Sequence, residues 1–330
     1  VHKCFPYSAF NLLQQKSAMS GPQNRPFNDY NSYLKHRLGA KTYKVSINAG
    51  FTCPNIDGTV ARGGCTYCNN KAFVPQYLSP GQEIRQQIEE GIKRQSRRYK
   101  ASQFLAYFQS YSNTYGPVEE LERLYRTALR QDGIAGLIVG TRADCLEDEK
   151  LDLLEYLARD HYVALEVGIE SVFDHTLKRI NRGHTFSAVE DAFRRARGRG
   201  LDLGGHFIYG LPGENRYHWM KTVEVMNRLQ LDYTKLHHLH IVKGTQLAAS
   251  HRKRPLPVFT FEEWVDLVAD MLESMHPGIA IARMAGSAPP ELLMAPHWEG
   301  RHHGAVKDKV SQILIDRGTR QGSFYCKEPA

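Results

Sequence analysis

The chain has no long hydrophobic run. None of its apolar stretches approaches the roughly 20 residues that a helix needs to cross a bilayer. The N-terminal segment VHKCFPYSAFNLLQQKSAMS holds an early lysine, but it has no continuous apolar core and no clear cleavage site of the secretory type. The sequence therefore predicts a cytoplasmic protein with no membrane among its partners.

Cysteine is scarce, with 6 residues among 330, yet three of them share one segment, FTCPNIDGTVARGGCTYCNN. In a reducing compartment, the trio of Cys53, Cys65 and Cys68 is expected to bind metal instead of forming disulfides. A structural zinc site takes four protein ligands, and Asp57 or a distant histidine would be the fourth. A [4Fe–4S] cluster on three thiolates keeps one iron open. The residues alone leave both alternatives open. Cys145, which follows a predicted strand, is expected either to pack in the core or to approach this site.

The chain carries an excess of positive charge, with a formal net charge of +8 and a pI of about 9.1. Basic residues concentrate in KRQSRRYK (93–100), RRARGR (194–199) and HRKR (251–254). Such runs suit a polyanion such as RNA, and each also suits a solvated helix face. The charge alone does not decide between these interpretations.

Short β-rich segments alternate with longer helical ones between residues 41 and 245. Strands are predicted at 44–48, 103–108, 136–140, 162–169, 203–210 and 233–242. Helices are predicted at 82–99, 117–130, 147–159, from the fourth strand to residue 199, at 214–229 and at 261–275. This alternation is typical of β-α crossovers and a parallel sheet. Six units are too few for a complete eight-unit barrel, so the sequence predicts an α/β fold with an open partial barrel or a doubly wound sheet.

Each predicted strand ends in a polar or glycine-rich loop. The cysteines follow the first strand, and the later loops are 109–114, 141–144, 168–171, 210–214 and 243–245. Because the active site of a parallel barrel lies at the carboxyl ends of its strands, these loops outline one site. In the fourth strand, alternation places Glu166 and Glu170 on the face opposite Val163 and Val167. Both carboxylates are expected to point into the barrel, either as functional groups or in structural ion pairs.

The loop sequences resemble those of radical S-adenosylmethionine (SAM) enzymes. The matching segments are TCPNIDGTVARGGCTYCNN, VGTRADCL, LEVGIES with DHTLKRINRGHT, GHFIYGLPGE and HHLHIVKGTQLA, which span residues 44–250 in the family's order. The branch includes the Elongator catalytic subunit, MiaB and the oxygen-independent coproporphyrinogen oxidase, and the chain looks most similar to its short YhcC-type bacterial members. The resemblance implies a TIM-like partial (β/α)6 barrel. Residues 1–40 would form an N-terminal extension, 41–250 the radical SAM core, and 251–330 a C-terminal extension that completes the substrate side.

The resemblance also implies the cofactors. Cys53, Cys65 and Cys68 would hold a [4Fe–4S] cluster whose open iron binds S-adenosylmethionine. Reductive cleavage of this cofactor would yield a 5′-deoxyadenosyl radical that abstracts hydrogen from a substrate. An electron donor such as flavodoxin or ferredoxin is implied as a partner. The long gap between the first two cysteines departs from the compact C-x-x-x-C-x-x-C of the wider superfamily, but it agrees with this branch.

Several further positions correspond to SAM-binding residues of the family. Arg182 would clamp the methionine carboxylate, since a guanidinium matches a carboxylate as a bidentate fork. Glu170 stands where relatives usually have glutamine and would face the cationic end of the cofactor. Ser110 and Asn113 occupy the place of a glycine-rich loop that binds the methionine amine in relatives.

The remaining candidate positions lie on the third and fifth strands. Arg142 and Asp144 would replace a glutamate that many relatives carry one residue before TR. Gly210 and Gly213 would let the backbone approach the adenine, because glycine has no Cβ. His206 stands where some relatives have an aspartate near the ribose.

The substrate is less defined than the chemistry, and three hypotheses follow from the resemblance. The first is a tRNA-modifying enzyme that acts near the wobble uridine. The second is a radical enzyme on a small metabolite or a porphyrin-like acid, and the third is a non-catalytic metal-binding protein. The absence of a second cysteine cluster argues against methylthiolation of the MiaB kind, and the roughly 80 residues after the barrel leave no room for the Elongator acetyltransferase domain. A tail with His297, His302 and His303 either lines the substrate side or is solvated.

Overall fold

The computed structural model describes residues 25–70, 78, 81–99, 101–301 and 303–326. Its strands are β1 (Thr42–Ile47), β2 (Gln103–Phe108), β3 (Ile134–Thr141), β4 (Tyr162–Glu170), β5 (Asp202–Tyr209), β6 (Tyr233–His238), β7 (Ile241–Val242), β8 (Ala280–Arg283) and β9 (Leu293–Ala295). Seven of them form one sheet in the order β1-β2-β3-β4-β5-β6-β8. All neighbouring pairs are parallel, so each connection crosses over the sheet, and the sheet curls into an open half-barrel.

Helices connect the strands and cover the outer face of the sheet. They are α1 (Tyr30–Leu38), α2 (Pro54–Asp57), α3 (Ile84–Tyr99), α4 (Val118–Leu129), α5 (Asp148–Ala158), α6 (Asp174–Arg179), α7 (Phe186–Ala196), α8 (Arg216–Arg228), α9 (Gln246–Lys253), α10 (Phe261–Ser274) and α11 (His303–Asp316). In α4 the buried residues Leu121, Leu124, Tyr125 and Ala128 follow helical spacing. This spacing gives α4 an apolar stripe that packs in the main core between sheet and helices.

A second, smaller core lies inside the half-barrel. Tyr30 and Leu34 of α1 pack there with the inward side chains of Leu105, Ile138 and Tyr233. These residues lie in the amino-terminal parts of their strands or at mid-strand. The apolar cluster therefore fills the amino-terminal end of the barrel, and polar side chains are left to line the carboxyl end.

The predicted partial barrel is confirmed, but its sheet has a seventh strand that the sequence did not reveal. This strand, β8, comes from the segment after residue 250 and pairs with β6, where Lys235 lies next to Arg283. The predicted strand at 233–242 is interrupted, because β6 ends at His238 and β7 pairs antiparallel with β9. The predicted helix that runs to residue 199 is divided into α6 and α7. Asn181 and Gly183 lie between these two helices, and their positive φ of 54° and 83° interrupt the helical backbone.

Among the described residues, no helix has both the length and the apolar character needed to cross a membrane.

Candidate cofactor-binding site

The three cysteines lie on the loop that follows β1. Cys53 precedes α2, where Pro54 occupies the first turn and Gly58, with a φ of 95°, ends the helix. The amide of Cys68 donates to the carbonyl of Cys65 at 3.0 Å, so the C-x-x-C pair closes a turn. Cys65 is buried, whereas Cys53 and Cys68 are partly exposed.

The three thiols are close enough to act on one another. Burial, followed by the charges of Cys65 and Cys53, raises the pKa of Cys68 to about 12, and Arg182 acts in the opposite direction. Asn55, fully buried in the same loop, donates from Nδ2 to Cys65 Sγ at 3.4 Å. The cationic Arg182 and the amide of Asn55 therefore stabilise thiolates that burial alone would keep protonated.

Arg182 is buried at the centre of this group. Its Nη1 lies 3.8 Å from Cys65 Sγ, and its Nη2 donates to the carbonyl of Gly168. Burial opposes the charge on Arg182, but the neighbouring Tyr67, Cys65 and Glu170 outweigh it and raise the pKa of the guanidinium. Its Nε has no hydrogen-bond partner within the described residues, so part of the fork remains available to a ligand.

Arg142 and Asp144, predicted to contact the cofactor, contact each other. The guanidinium of Arg142 binds the carboxylate of Asp144 through two parallel hydrogen bonds of 2.8 Å each. Arg142 Nη2 also donates to the carbonyl of Arg182 at 2.7 Å. The pair therefore fixes the backbone at Arg182. Of the guanidinium nitrogens of Arg142, Nη1 is buried and has no partner among the described residues.

The loop after β2 is held against the cysteine loop and β3. The amide of Ser112 donates to the carbonyl of Thr52 at 3.2 Å, and Asn113 Nδ2 donates to the carbonyl of Gly140 at 2.8 Å. Ser110 Oγ, Ser112 Oγ and Asn113 Oδ1 are buried without a partner among the described residues. The two predicted residues, Ser110 and Asn113, thus present polar atoms that have no partner among the described residues, and so does Ser112, which lies in the predicted loop but not among the predicted contacts.

Glu170 and His206 meet on the inner face of the barrel. A register shift between Gly168 and Glu170 marks an irregularity in β4, and Glu170 has a φ of 68°. Its Oε2 lies 3.8 Å from His206 Nδ1 and has no hydrogen-bond partner in the described chain. Burial lowers the pKa of His206, so its imidazole is neutral near pH 7. The expected inward direction of Glu170 is confirmed.

Glu166 has a different environment, and it forms a structural ion pair, one of the two alternatives that the sequence left open. Its Oε1 accepts from Lys235 Nζ at 2.6 Å and from Tyr107 OH at 2.7 Å. Burial would raise the pKa of Glu166, but Lys235 and Lys44 hold it at about 2. Glu166 therefore forms a buried ion pair and keeps its negative charge at neutral pH.

Gly210 and Gly213 follow β5 with φ of 86° and 95°. A Cβ on Gly210 would lie 2.9 Å from the ring of Phe259, and a Cβ on Gly213 would lie 2.0 Å from Arg179 Nη1. Arg179 in turn donates to the carbonyl of Pro212 at 2.9 Å. Packing within the chain already requires both glycines, and their approach to an adenine stays a prediction.

Some candidates take positions that the sequence could not assign. Asp57 is exposed and accepts from Thr59, so its carboxylate is turned to its own loop. Cys145 is buried, and the charge of Cys53 contributes to raising its pKa after burial and Asp144. Cys145 thus lies both in the core and near the first cysteine. Asn55 stands between two of the cysteines in sequence, and its place in the cysteine loop was the one signal that could have found it.

The histidine tail divides between solvent and barrel. His297 is exposed, and His302 lies outside the described residues. His303 is partly buried, and burial, with the charge of Arg283, lowers its pKa to about 4. Trp298 stacks on His238 with 4.0 Å between ring centroids. The segment after residue 250 thus covers one side of the half-barrel.

The donor set fits an iron–sulfur cluster with a bound small molecule. No three of the described His, Cys, Asp and Glu side chains stand in positions to share a single metal ion. A four-iron cluster does not require this, because each thiolate binds a separate iron. The strand ends and loops that carry the predicted contacts hold a set of buried polar atoms that lack partners in the described chain: Ser110 Oγ, Ser112 Oγ, Asn113 Oδ1, Arg142 Nη1, Glu170 Oε2, Arg182 Nε and His206 Nε2. Buried atoms of this kind are normally satisfied, so their number at this end of the barrel indicates a polar ligand.

Comparison with known protein families agrees with this geometry. Residues 56–226 match the model of the radical SAM superfamily, and residues 231–312 match that of the radical SAM C-terminal domain. Protein YhcC of Escherichia coli K12 is 38% identical over 298 residues, which cover 90% of this chain and 94% of YhcC. YtqA of Bacillus subtilis is 33% identical over 312 residues, which cover 92% of this chain and 97% of YtqA.

More distant relatives share only part of their length with the chain. Elongator complex protein 3 of Dictyostelium discoideum is 27% identical over 190 residues, which cover 56% of this chain and 32% of that protein. The solved structure of the archaeal Methanocaldococcus infernus Elp3, with an N-terminal deletion, superposes with a TM-score of 0.64 at 14% identity. The match covers 85% of this chain and 64% of that one, and it shows a common fold.

Proposed function

Because the chain belongs to the radical SAM superfamily, we propose that it supports reductive cleavage of S-adenosylmethionine by a [4Fe–4S] cluster, which supplies a 5′-deoxyadenosyl radical for hydrogen abstraction from a substrate. The observation that carries this proposal is that buried polar atoms without partners in the described chain accompany the three thiols at the carboxyl ends of the strands. Cys53, Cys65 and Cys68 would hold the cluster. Asn55 and Arg182, which donate to Cys65 Sγ, would stabilise its thiolate.

The cofactor's polar groups would be recognised by the free atoms of the site. The free Nε of Arg182 suits a carboxylate, and Arg142 holds the Arg182 backbone in place. Glu170 Oε2 suits a cationic centre, and the oxygens of Ser110 and Asn113 suit an ammonium group. The strands behind these residues are buried, which restricts water around a reactive species.

The test is product analysis on protein reconstituted anaerobically with iron and sulfide. With S-adenosylmethionine and dithionite, we expect 5′-deoxyadenosine by chromatography, and Cys68→Ala should abolish it. Cys145→Ala is the matched control, since it removes a buried thiol that we do not assign to the cluster. Formation of 5′-deoxyadenosine by Cys68→Ala would refute the cluster assignment.

We further propose tRNA, near the wobble uridine, as a substrate of this reaction. The basic run at 251–254 supports this, because α9 is fixed to the cysteine loop by a 2.9 Å hydrogen bond from the amide of Leu247 to the carbonyl of Thr66. The first turn of α9 is therefore next to the cysteine loop, and the basic run follows at the carboxyl end of this short helix. The run at 194–199 gives weaker support, since Arg195 and Arg199 pair with carboxylates of α5 and α7. In the run at 93–100, Lys100 lies outside the described residues.

The tRNA proposal is tested by incubating the reconstituted protein with undermodified tRNA and analysing its nucleosides by mass spectrometry. A new nucleoside that requires both S-adenosylmethionine and Cys68 is expected. An unchanged nucleoside profile, under conditions where 5′-deoxyadenosine still forms, would count against tRNA.

A further inference from the structure

The interior of the half-barrel contains a layer of charged side chains above its apolar base. Lys44 of β1, Tyr107 of β2, Glu166 of β4 and Lys235 of β6 form it, and Arg283 of β8 stands beside Lys235 in the strand register. Three of these residues are cations, and Glu166 is the one carboxylate among the five. The layer thus carries an excess of positive charge within a largely buried space.

The single carboxylate is already engaged. Glu166 Oε1 accepts from Lys235 and Tyr107 at 2.6 and 2.7 Å. Lys44 lies over aromatic rings, 4.6 Å from the centroid of Tyr30 and 5.1 Å from that of Tyr107. Arg283 has neither a salt bridge nor a side-chain hydrogen bond within the described chain. A guanidinium beside buried charges is normally paired, but among the described residues Arg283 has no anionic partner.

The charge of Arg283 acts on several side chains of the interior, as its register position beside Lys235 suggests. Its charge contributes to lowering the pKa of Lys44 on β1 and of Lys235 and His237 on β6, in each case after burial and other neighbours. Burial, followed by Lys235 and then by Arg283, brings the pKa of Lys44 to about 7 against the opposing charge of Glu166. The positive charge of Arg283 therefore lowers pKa values of side chains on both β1 and β6.

Two neutral imidazoles border this layer on the side of the cysteine loop. The rings of His206 and His237 lie 4.2 Å apart, and the Nε2 atoms of both are buried without a partner among the described residues. His206 also faces Glu170. The charged layer is therefore continuous, through the two histidines, with the candidate cofactor-binding site.

We propose that Arg283, backed by Lys44 and Lys235 and bordered by His206 and His237, forms an oxyanion-binding subsite that holds a carboxylate or phosphate group of the substrate. The guanidinium supplies a bidentate fork for such a group, and the imidazoles supply further hydrogen bonds. An acidic group held here would place the rest of the substrate toward His206 and Glu170, beside the candidate cofactor. The inference rests on the proposed function, because it identifies the anchored molecule as the substrate of that reaction.

The experiment measures anion binding to the reconstituted protein without reductant, so it does not depend on SAM cleavage. Thermal midpoints are recorded with glutarate, inorganic phosphate or uridine 5′-monophosphate, at an ionic strength matched with sodium chloride. The variants are Arg283→Gln, Arg283→Lys and, as a control, Arg228→Gln, which changes an exposed arginine at the end of α8. We expect at least one oxyanion to raise the midpoint in the unchanged protein and in Arg228→Gln. Its affinity should fall by about tenfold or more in Arg283→Gln and recover in part in Arg283→Lys.

The probes identify the source of the acidic group. A selective response to glutarate assigns it to a small organic acid, and a selective response to uridine 5′-monophosphate assigns it to a nucleotide. Equal responses in all four proteins, or no response beyond that to chloride, would overturn the proposal. A lower thermal midpoint of anion-free Arg283→Gln would also overturn it, because an unpaired cation should not stabilise the empty barrel. If the anion binds but no 5′-deoxyadenosine forms, the subsite stands and the proposed reaction fails.

Discussion

Lys44 provides a quantitative test of the charged layer in the barrel. Its pKa of about 7 in the folded protein compares with an ordinary value of 10.5. Between these two values the unfolded chain binds more protons than the folded one, so stability rises with pH. The penalty for the buried charge is complete below pH 7 and disappears as the pH approaches 10.5.

The size of the effect follows from the shift. For a fully buried lysine with this pKa, linkage gives a gain of about 2 kcal/mol between pH 7 and pH 9. Lys44 is only partly buried, so solvent screening reduces the expected gain to about 1–2 kcal/mol. Lys44→Met removes this contribution while it keeps the side chain's packing against Tyr30 and Tyr107.

The assay is urea-induced unfolding at pH 7 and pH 9 under anaerobic conditions. Lys44→Met should be more stable than the unchanged protein at pH 7, and the difference should shrink by about 1–2 kcal/mol at pH 9. Other titrating groups, including the cysteines, act on both proteins and cancel in the difference. Lys309→Met, at an exposed position of α11, should show no such dependence. An equal pH dependence in Lys44→Met and the unchanged protein would refute the reasoning.

Two further perturbations test neighbouring residues. Glu166→Gln leaves the buried cations without their carboxylate and should cost about 3–5 kcal/mol of unfolding free energy, whereas combining it with Lys235→Met should cost at least about 1 kcal/mol less than the sum of the single changes. Additive effects in urea unfolding would show that the 2.6 Å pair is not coupled. Arg182→Ala should weaken S-adenosylmethionine binding by about tenfold or more in an anaerobic titration, without loss of iron. Unchanged affinity would remove the clamp role from Arg182.

Much of the barrel could be predicted because most of its strands show as short β-rich segments in the local sequence. The segment at 103–108 is a strand with those bounds, and the three cysteines lie together because they share one loop. Strand β8 could not be predicted, because it has only four residues and its pairing with β6 joins positions far apart in the chain. This strand carries Arg283 of the proposed anion-binding subsite.

The partners of individual side chains could not be predicted either, because they too are far apart in the chain. Alternation in β4 correctly directed Glu166 inward, but its partners, Tyr107 and Lys235, lie 59 and 69 residues away. The sequence predicts Arg142 and Asp144 as cofactor contacts, and their mutual hydrogen bonds emerge only when the loop is folded. Long-range pairing, and not local propensity, decides which polar groups remain free for a ligand.

The most direct test of the central claim is electron paramagnetic resonance of the reduced, reconstituted protein before and after S-adenosylmethionine is added. We expect the signal of a reduced [4Fe–4S] cluster that changes when S-adenosylmethionine binds its open iron, and no such signal in a variant that lacks Cys53, Cys65 and Cys68. A cluster signal that S-adenosylmethionine leaves unchanged, or tight zinc binding without a cluster, would contradict it.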